Sequence, residues 1–119
     1  MRVAAEAKGK VVWPENDGFA AVPKVRPLEK GELIDRYSVF SGTADDGEFF
    51  GKVGDSFEKR SLPYDPARVK HTQYEVLKPF EVKEGPIAPA FGHDGGGTQY
   101  LSPVPVSQLI GQGFIKEVK

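Results

Sequence analysis

Alternating apolar and polar residues indicate that this chain is built mainly of short strands. Residues 72–77 (TQYEVL) alternate as a half-buried strand does, and residues 80–82 continue the extended pattern after a proline. Residues 114–118 (FIKEV) alternate near the end of the chain. Three shorter candidates are residues 19–22, 49–53 and 98–101, and residues 11–13 (VVW) would begin the ordered structure. The pattern predicts about six short strands.

Two segments have helical signals instead. Within residues 28–37 (LEKGELIDRY), Leu33, Ile34 and Tyr37 fall at i, i+1 and i+4 and would form one apolar stripe. Residues 106–110 (VSQLI) follow a proline and precede two glycines, which is typical of a short helix. Without strict alternation of strands and helices, the expected fold class is α+β around a central antiparallel or mixed sheet.

Composition supports a sheet-rich domain in which glycine and proline separate the elements by many turns. The 14 Gly and 10 Pro make up 24 of 119 residues, whereas an average chain carries about 12 % of the two together. Both residues break helices, so a helical bundle is excluded. The hydrophobic fraction of 39 % is sufficient for a core. We therefore expect one domain over residues 11–119, preceded by an arm or linker remnant over residues 1–10.

Charge and cysteine content limit the kinds of partner and chemistry that we expect for this chain. The chain has 16 Lys and Arg against 17 Asp and Glu, with no basic run, so nucleic acid is not expected as a partner. It has no cysteine, hence neither disulfides nor thiolate chemistry. No apolar run approaches the ~18 residues of a membrane span. Residues 1–10 lack the apolar core of a signal peptide.

Two groups of residues could carry chemistry, each with a plain structural alternative. Residues 95–97 (GGG) could offer backbone N–H groups to an anion, or could form a mobile turn; no P-loop lysine follows them. His71 and His93 could act as acid and base in a ribonuclease, or ligate a metal with Asp94. They could equally be ordinary surface histidines, and three ligands at sensible spacing cannot be assembled.

Arg36 and Gln99 are similarly ambiguous. The planar fork of Arg36 could hold a phosphate, or could pair with Glu32 on a solvated helix. Gln99 follows the glycines on a short predicted strand, and an amide that both donates and accepts could orient water or a ribose hydroxyl.

Several local motifs occur together in one order along the chain. They are residues 13–19 (WPENDGF), 31–37 (GELIDRY), 56–63 (SFEKRSLP), 74–80 (YEVLKPF), 88–100 (APAFGHDGGGTQY) and 113–118 (GFIKEV). In this order the chain resembles the TNT domain family, named after the tuberculosis necrotizing toxin. The resemblance covers residues 11–119 and implies a fold similar to a minimal ADP-ribosyltransferase core.

The resemblance also implies roles for particular residues. Gln99 matches the family's catalytic glutamine, Arg36 an arginine near the pyrophosphate, and His71 a functional histidine. The residues implied to bind substrate are Phe19, Phe49, Phe50, Gly96, Gly97 and Tyr100. Phe49 or Phe50 stands where other members show tyrosine, so an aromatic face is kept without a hydroxyl. No metal is implied.

The activity implied is that of an NAD glycohydrolase toxin. Such a domain hydrolyses the nicotinamide–ribose bond of NAD or NADP, with NAD as substrate and no separate cofactor. The family further implies a C-terminal module of a larger exported protein, delivered as toxin cargo into the target-cell cytoplasm and neutralised by an immunity protein. The alternatives are a protein ADP-ribosyltransferase, a ribonuclease toxin using His71 and His93, and an inactive NAD-binding module.

Overall fold

The computed structural model describes residues 16–40 and 44–118. Its strands are β1 (Lys24–Leu28), β2 (Leu33–Ser38), β3 (Phe49–Lys52), β4 (Lys70–Val76), β5 (Phe80–Pro86), β6 (Thr98–Leu101) and β7 (Ile115–Val118), and its α-helix is α1 (Val106–Gly111). The predicted arm over residues 1–10, the predicted start at residues 11–13 and the first part of the motif at residues 13–19 lie outside the described residues.

The seven strands form one sheet in the order β1-β5-β6-β3-β2-β4-β7. Each neighbouring pair is antiparallel. The fold is therefore α+β with an antiparallel sheet, as expected, although the described strands number seven rather than about six. Strands β6 and β3, at the centre of the sheet, are far apart in sequence, so the fold depends on non-local pairing.

The predicted helix over residues 28–37 is wrong. Leu28 ends β1, Gly31 turns the chain with φ +95°, and Leu33–Ser38 is strand β2. The backbone N–H of Gly31 donates to the carbonyl of Val76 at 2.8 Å, which ties this turn to the end of β4. The apolar residues at i, i+1 and i+4 match a helix locally, but pairing of β2 with both β3 and β4 outweighs that preference.

The other predicted elements are close to those observed, with one further exception. Strand β6 has the predicted bounds, the predicted strand at residues 72–77 corresponds to β4, and α1 is one residue longer than the predicted helix. In the segment 19–22, however, Phe19 forms only an isolated antiparallel bridge with Ile87, and residues 20–22 do not form a strand.

The hydrophobic core lies on one face of the sheet, beneath α1. It consists of Leu28, Ile34, Phe50, Tyr74, Val76, Val82, Tyr100, Val106, Leu109 and Ile115. Because successive side chains of a strand point to opposite faces, the neighbours of these residues face the other side. On β2, Ile34 is a core residue, so Asp35 and Tyr37 lie on one face and Arg36 on the other. The face opposite the core carries Asp35, Tyr37 and Gln99, whereas Arg36 shares the face of Ile34.

Candidate active site

A cleft of about 460 Å³ opens between this second face of the sheet and the loops above it. It is lined by Asp17, Gly18, Arg36, Tyr37, Asp46, Gly47, Glu48, Phe49, Phe50, Gly51, Arg60, Ser61, Leu62, Tyr64, Ile87, Ala88, Phe91 and Gln99. The lining combines aromatic and aliphatic side chains with a few polar groups, the usual make-up of a small-molecule site.

Four residues stand side by side across the sheet, and the middle two, Gly51 and Gln99, line the cleft. Strand pairing aligns Asp35 with Gly51, Gly51 with Gln99, and Gln99 with Gly85. Gly51 leaves room for the Arg60 guanidinium, since a Cβ there would lie 2.5 Å from Nη1. Because neither glycine has a side chain, there is space on both sides of Gln99. The Arg60 guanidinium occupies the space on the Gly51 side.

Gln99 is held in one orientation. Its side-chain amide nitrogen donates to the backbone carbonyl of Asp17 at 2.9 Å, and the residue is only 8 % exposed. A carbonyl can pair only with the nitrogen of the amide, so this bond fixes which end of the side chain is which. The Oε1 atom has no hydrogen-bond partner among residues 16–40 and 44–118, which leaves an acceptor available at the cleft.

Arg60 is a buried arginine held by a carboxylate and two backbone carbonyls. Its guanidinium bonds both oxygens of Asp35, at 2.5 and 3.1 Å, and the backbone carbonyls of Lys52 and Asp55. The side chains of Arg60 and Asp35 are 5 % and 1 % exposed. The same carboxylate accepts a hydrogen bond from His71 Nε2 at 2.7 Å if that nitrogen is protonated. Asp35 therefore links the cleft arginine to a histidine outside the cleft.

His71 does not line the cleft. Its ring lies against Tyr37, with centroids 4.7 Å apart, and its side chain is 44 % exposed. His93 packs instead against the edge of Phe57, and neither a hydrogen bond nor a ring contact joins the two histidines in the described part of the chain. Nor do three His, Cys, Asp or Glu side chains gather there as metal ligands.

Arg36 borders the cleft but is committed to a carboxylate. Its Nε and Nη2 atoms bond both oxygens of Asp45, at 2.6 and 3.0 Å, and Nη1 donates to the carbonyl of Phe49. These bonds use three of five N–H donors, so one hydrogen on each terminal nitrogen keeps no acceptor within the described ranges. Gly47 is required here, because a Cβ would lie 2.1 Å from Nη2. The arginine predicted to lie near a pyrophosphate is at the site with its charge balanced by Asp45.

The predicted aromatic residues divide between the cleft and the interior. Phe49 lines the cleft, and Phe50 borders it although its ring packs edge-on against Tyr74 in the core. Phe19 is 5 % exposed and is not among the cleft residues; its ring covers Gly85, where a Cβ would meet it at 2.9 Å. Tyr100 belongs to the core, and burial raises the pKa of its hydroxyl.

Gly96 and Gly97 are likewise outside the cleft and border a separate shallow depression. Their N–H groups donate to the carbonyls of Ile87 and Lys59, at 2.9 and 3.1 Å. The structure therefore does not bring these glycines to the cleft, and their amides are engaged in folding the loop. Of the nine residues predicted for the site, the cleft contains Gln99, Arg36, Phe49 and Phe50.

Sequence reasoning did not assign a site role to Asp35, Tyr37, Arg60, Ser61 or Phe91. Arg60, Ser61 and Phe91 lie inside motifs quoted for the family resemblance, which could have drawn attention to them. Asp35 also lies inside one of these motifs, residues 31–37, but an acidic residue in a strand is expected at the surface, and only the tertiary structure reveals that it is buried against Arg60.

Comparison with known proteins identifies the family. The model for the tuberculosis necrotizing toxin matches residues 27–118, so the chain belongs to that family. A curated relative, the conidial surface nicotinamide adenine dinucleotide glycohydrolase nadA of Aspergillus fumigatus, is 30 % identical over 125 aligned residues covering 92 % of this chain. The chain spans about half the length of that relative (50 %).

Two solved structures share the fold. The tuberculosis necrotizing toxin complexed with its immunity factor IFT superposes with a TM-score of 0.71 and 19 % identity, covering 90 % of this chain and 62 % of that one. Tse6, in complex with Tsi6, gives a TM-score of 0.55 and 16 % identity, covering 81 % of this chain and 71 % of that one. Both neighbours were solved as complexes with a second protein. Within the described ranges, the one α-helix is too short to cross a membrane.

Proposed function

We propose that this domain is an NAD glycohydrolase that hydrolyses the bond between nicotinamide and ribose. The observation that carries the proposal is the fixed amide of Gln99, whose acceptor oxygen is available beside an aromatic-lined cleft. Membership of the family and the similarity to a nicotinamide adenine dinucleotide glycohydrolase support it. A cleft of about 460 Å³ falls within the range of roughly 300–1,000 Å³ that is usual for ligand pockets.

The chemistry asks little of a general acid. The bonding pair of the glycosidic bond leaves with the pyridinium nitrogen, so nicotinamide departs neutral. The ribose carbon becomes an oxocarbenium-like centre, water adds to it, and a proton is lost to solvent. Gln99 Oε1 would accept a hydrogen bond from a ribose hydroxyl or from the attacking water and so fix the reacting atoms. No pair of catalytic carboxylates is needed.

The remaining predicted residues take narrower roles. Arg36 would donate to the pyrophosphate with the two hydrogens that Asp45 and Phe49 leave available. Phe49 would offer a flat apolar face to the substrate. His71 would act through Asp35, since its ring lies outside the cleft but bonds the carboxylate that holds Arg60. NAD is the substrate in this proposal, and no further cofactor is involved.

Replacing Gln99 tests the proposal. Gln99→Ala removes the acceptor and is expected to lower kcat by roughly 100-fold or more, as when a preorganised polar group is lost from an active site. Release of nicotinamide from NAD by the purified domain is the measurement. Gln108→Ala, on the exposed surface of α1, is the matched control and should keep wild-type turnover.

Two outcomes would count against the proposal. If the wild-type domain leaves NAD intact at micromolar enzyme, it is not a glycohydrolase. If Gln99→Ala remains as active as the Gln108→Ala control, the catalytic assignment of the glutamine is wrong. Transfer of label from NAD to a protein would instead indicate ADP-ribosylation, the alternative that the family resemblance implies.

The biological setting is part of the same proposal. A delivered toxin domain, acting on NAD or NADP in the cytoplasm of a target cell, would require an immunity protein in the cell that makes it. The tuberculosis necrotizing toxin was solved with its immunity factor, and Tse6 with Tsi6, which supports this expectation. Placement at the C-terminal end of a larger exported protein fits the same setting.

A further inference from the structure

Phe91 lies at the tip of a tight turn in a backbone conformation that bulky residues avoid. Ala90 and His93 exchange backbone hydrogen bonds of 3.2 and 2.9 Å, so the turn has two central residues, Phe91 and Gly92. Both have positive φ, 53° and 79°, as in a type I′ turn. Glycine and asparagine are favoured at such positions, and a large side chain there is a steric outlier.

The surrounding chain holds this turn in place. Gly95 packs so closely on the preceding segment that a Cβ would lie 2.7 Å from the carbonyl oxygen of Ile87. Gly96 donates to the same carbonyl, and the hydroxyl of Ser61 donates to the carbonyl of Ala88 at 2.6 Å. The glycine-rich stretch is therefore an anchored loop, and it presents Phe91 from its tip.

The strained positions coincide with the cleft. Non-glycine residues with positive φ in the described ranges are Asn16, Asp17, Ser61 and Phe91, and the last three line the cleft. Strained backbone persists where the surrounding structure enforces it, and it concentrates at ligand sites. A bulky ring at a position where glycine would fit without strain points to a role for this side chain at the cleft.

We propose that Phe91 is a substrate-binding residue that stacks on a heteroaromatic base of the dinucleotide. The proposal rests on the proposed function, which supplies a substrate with two such bases, nicotinamide and adenine. Its half-buried ring lines the cleft, to which Leu62 and Ile87 also contribute aliphatic side chains; we infer that the ring binds substrate on an apolar part of the cleft. A planar base is the part of the substrate that such an apolar surface can bind, and stacking needs no hydrogen-bond partner.

The decisive variant is Phe91→Gly. It removes the ring while relieving the positive-φ strain, so the domain should stay folded, with a Tm no lower than that of the wild type. Loss of one stacked base should raise KM for NAD by roughly 5- to 100-fold. Phe91→Tyr keeps the ring and should keep the wild-type KM. Phe40→Gly, which removes an exposed phenylalanine outside the cleft, should leave KM unchanged.

Equilibrium binding separates this proposal from the glycohydrolase activity and identifies the base. Nicotinamide mononucleotide carries only the first base and ADP-ribose only the second, and neither measurement requires turnover. The proposal predicts that Phe91→Gly weakens one of these probes by the same factor that it raises KM, and that Phe91→Tyr does not. If Phe91→Gly does not fold, Phe91→Asn, which also tolerates positive φ, replaces it.

Three results would overturn the stacking role. A folded Phe91→Gly with unchanged affinity for both probes would show that the ring does not contact substrate. A Phe91→Leu variant that binds as tightly as Phe91→Tyr would show that any apolar side chain suffices. If the wild-type domain binds neither probe, then the cleft does not bind the dinucleotide and Phe91 has no base to stack on. Absent NAD hydrolysis, with retained and Phe91-dependent binding, would instead refute the glycohydrolase alone.

Discussion

The buried ion pair beneath the cleft provides a sharp test of how this fold is held together. Asp35 is 1 % exposed and accepts hydrogen bonds from Arg60 at 2.5 and 3.1 Å. Asp35→Asn keeps the shape of the side chain but removes its charge, and it places an amide donor against the donors of Arg60 and His71. The arginine is then left charged and buried without its counterion.

The expected loss of stability is large for a domain of this size. Removing one partner of a buried pair typically costs about 3–5 kcal/mol, whereas the free energy of unfolding of a whole domain is roughly 5–15 kcal/mol. With a urea m-value of about 2 kcal/mol per M, the unfolding midpoint should fall by about 2 M. Part of the carboxylate's hydrogen bonding would survive through the asparagine oxygen, which favours the lower end of this range.

Urea unfolding followed by far-UV circular dichroism is the appropriate assay. The matched control is Glu75→Gln, because Glu75 pairs with Lys116 at 3.7 Å on the surface, with side chains 36 % and 59 % exposed. Such an exposed pair contributes about 0–1 kcal/mol. If Asp35→Asn and Glu75→Gln shift the midpoint equally, the reasoning about the buried arginine is wrong. A double variant, Asp35→Leu with Arg60→Met, should lose less than the sum of its single changes.

Two further predictions concern a glycine of the cleft floor and a glutamate near the sheet edge. Gly51→Ala places a Cβ 2.5 Å from Arg60 Nη1, so stability should fall by about 1–3 kcal/mol in the same urea assay. At Gly111 an added Cβ would meet no atom within 4 Å beyond its chain neighbours and its own helix, so Gly111→Ala should be neutral or stabilising. Equal losses of stability in Gly51→Ala and Gly111→Ala would contradict the steric argument. Hydrogen bonds from Arg26 lower the pKa of Glu32 below 4.5. The stability that the ionised Glu32 contributes to the folded state is therefore present above that pH, and it is lost as pH falls through the folded pKa. Stability measured between pH 6 and pH 3 (roughly this window) should therefore fall less for Glu32→Gln than for the wild type, and parallel curves would refute the linkage.

Local pattern predicted the strands better than the helices. Alternation over residues 72–77 identified β4 because that strand has one buried face, and the pattern over residues 114–118 indicated β7. The segment 28–37 was predicted wrongly because Leu33, Ile34 and Tyr37 satisfy a helical stripe as well as a strand. The polar residue Asp35 hid the strand pattern, because it is buried where an alternating strand would be expected to expose it. Arg60 pairs with it there, and no local rule anticipates a buried carboxylate.

The site was only partly accessible from the sequence. Family resemblance pointed to Gln99 and Arg36, and both residues line the cleft. It also pointed to Gly96 and Gly97, whose amides are engaged in the loop. The excess of glycine predicted sharp turns and close contacts but not which glycine serves which purpose, because that depends on atoms brought near by the fold.

The sequence by itself determined the class of structure: many short strands, little helix, no cysteine, and the motifs of one family. The tertiary structure alone decided that Asp35, Gly51, Gln99 and Gly85 form one row across the sheet. It also decided that Arg60 fills the gap beside the glutamine, and that Phe91 reaches the cleft from a strained turn. Side-chain alternation tells which residues of a strand share a face. It carries no information on which strands become neighbours, since these are joined by hydrogen bonds between segments distant along the chain.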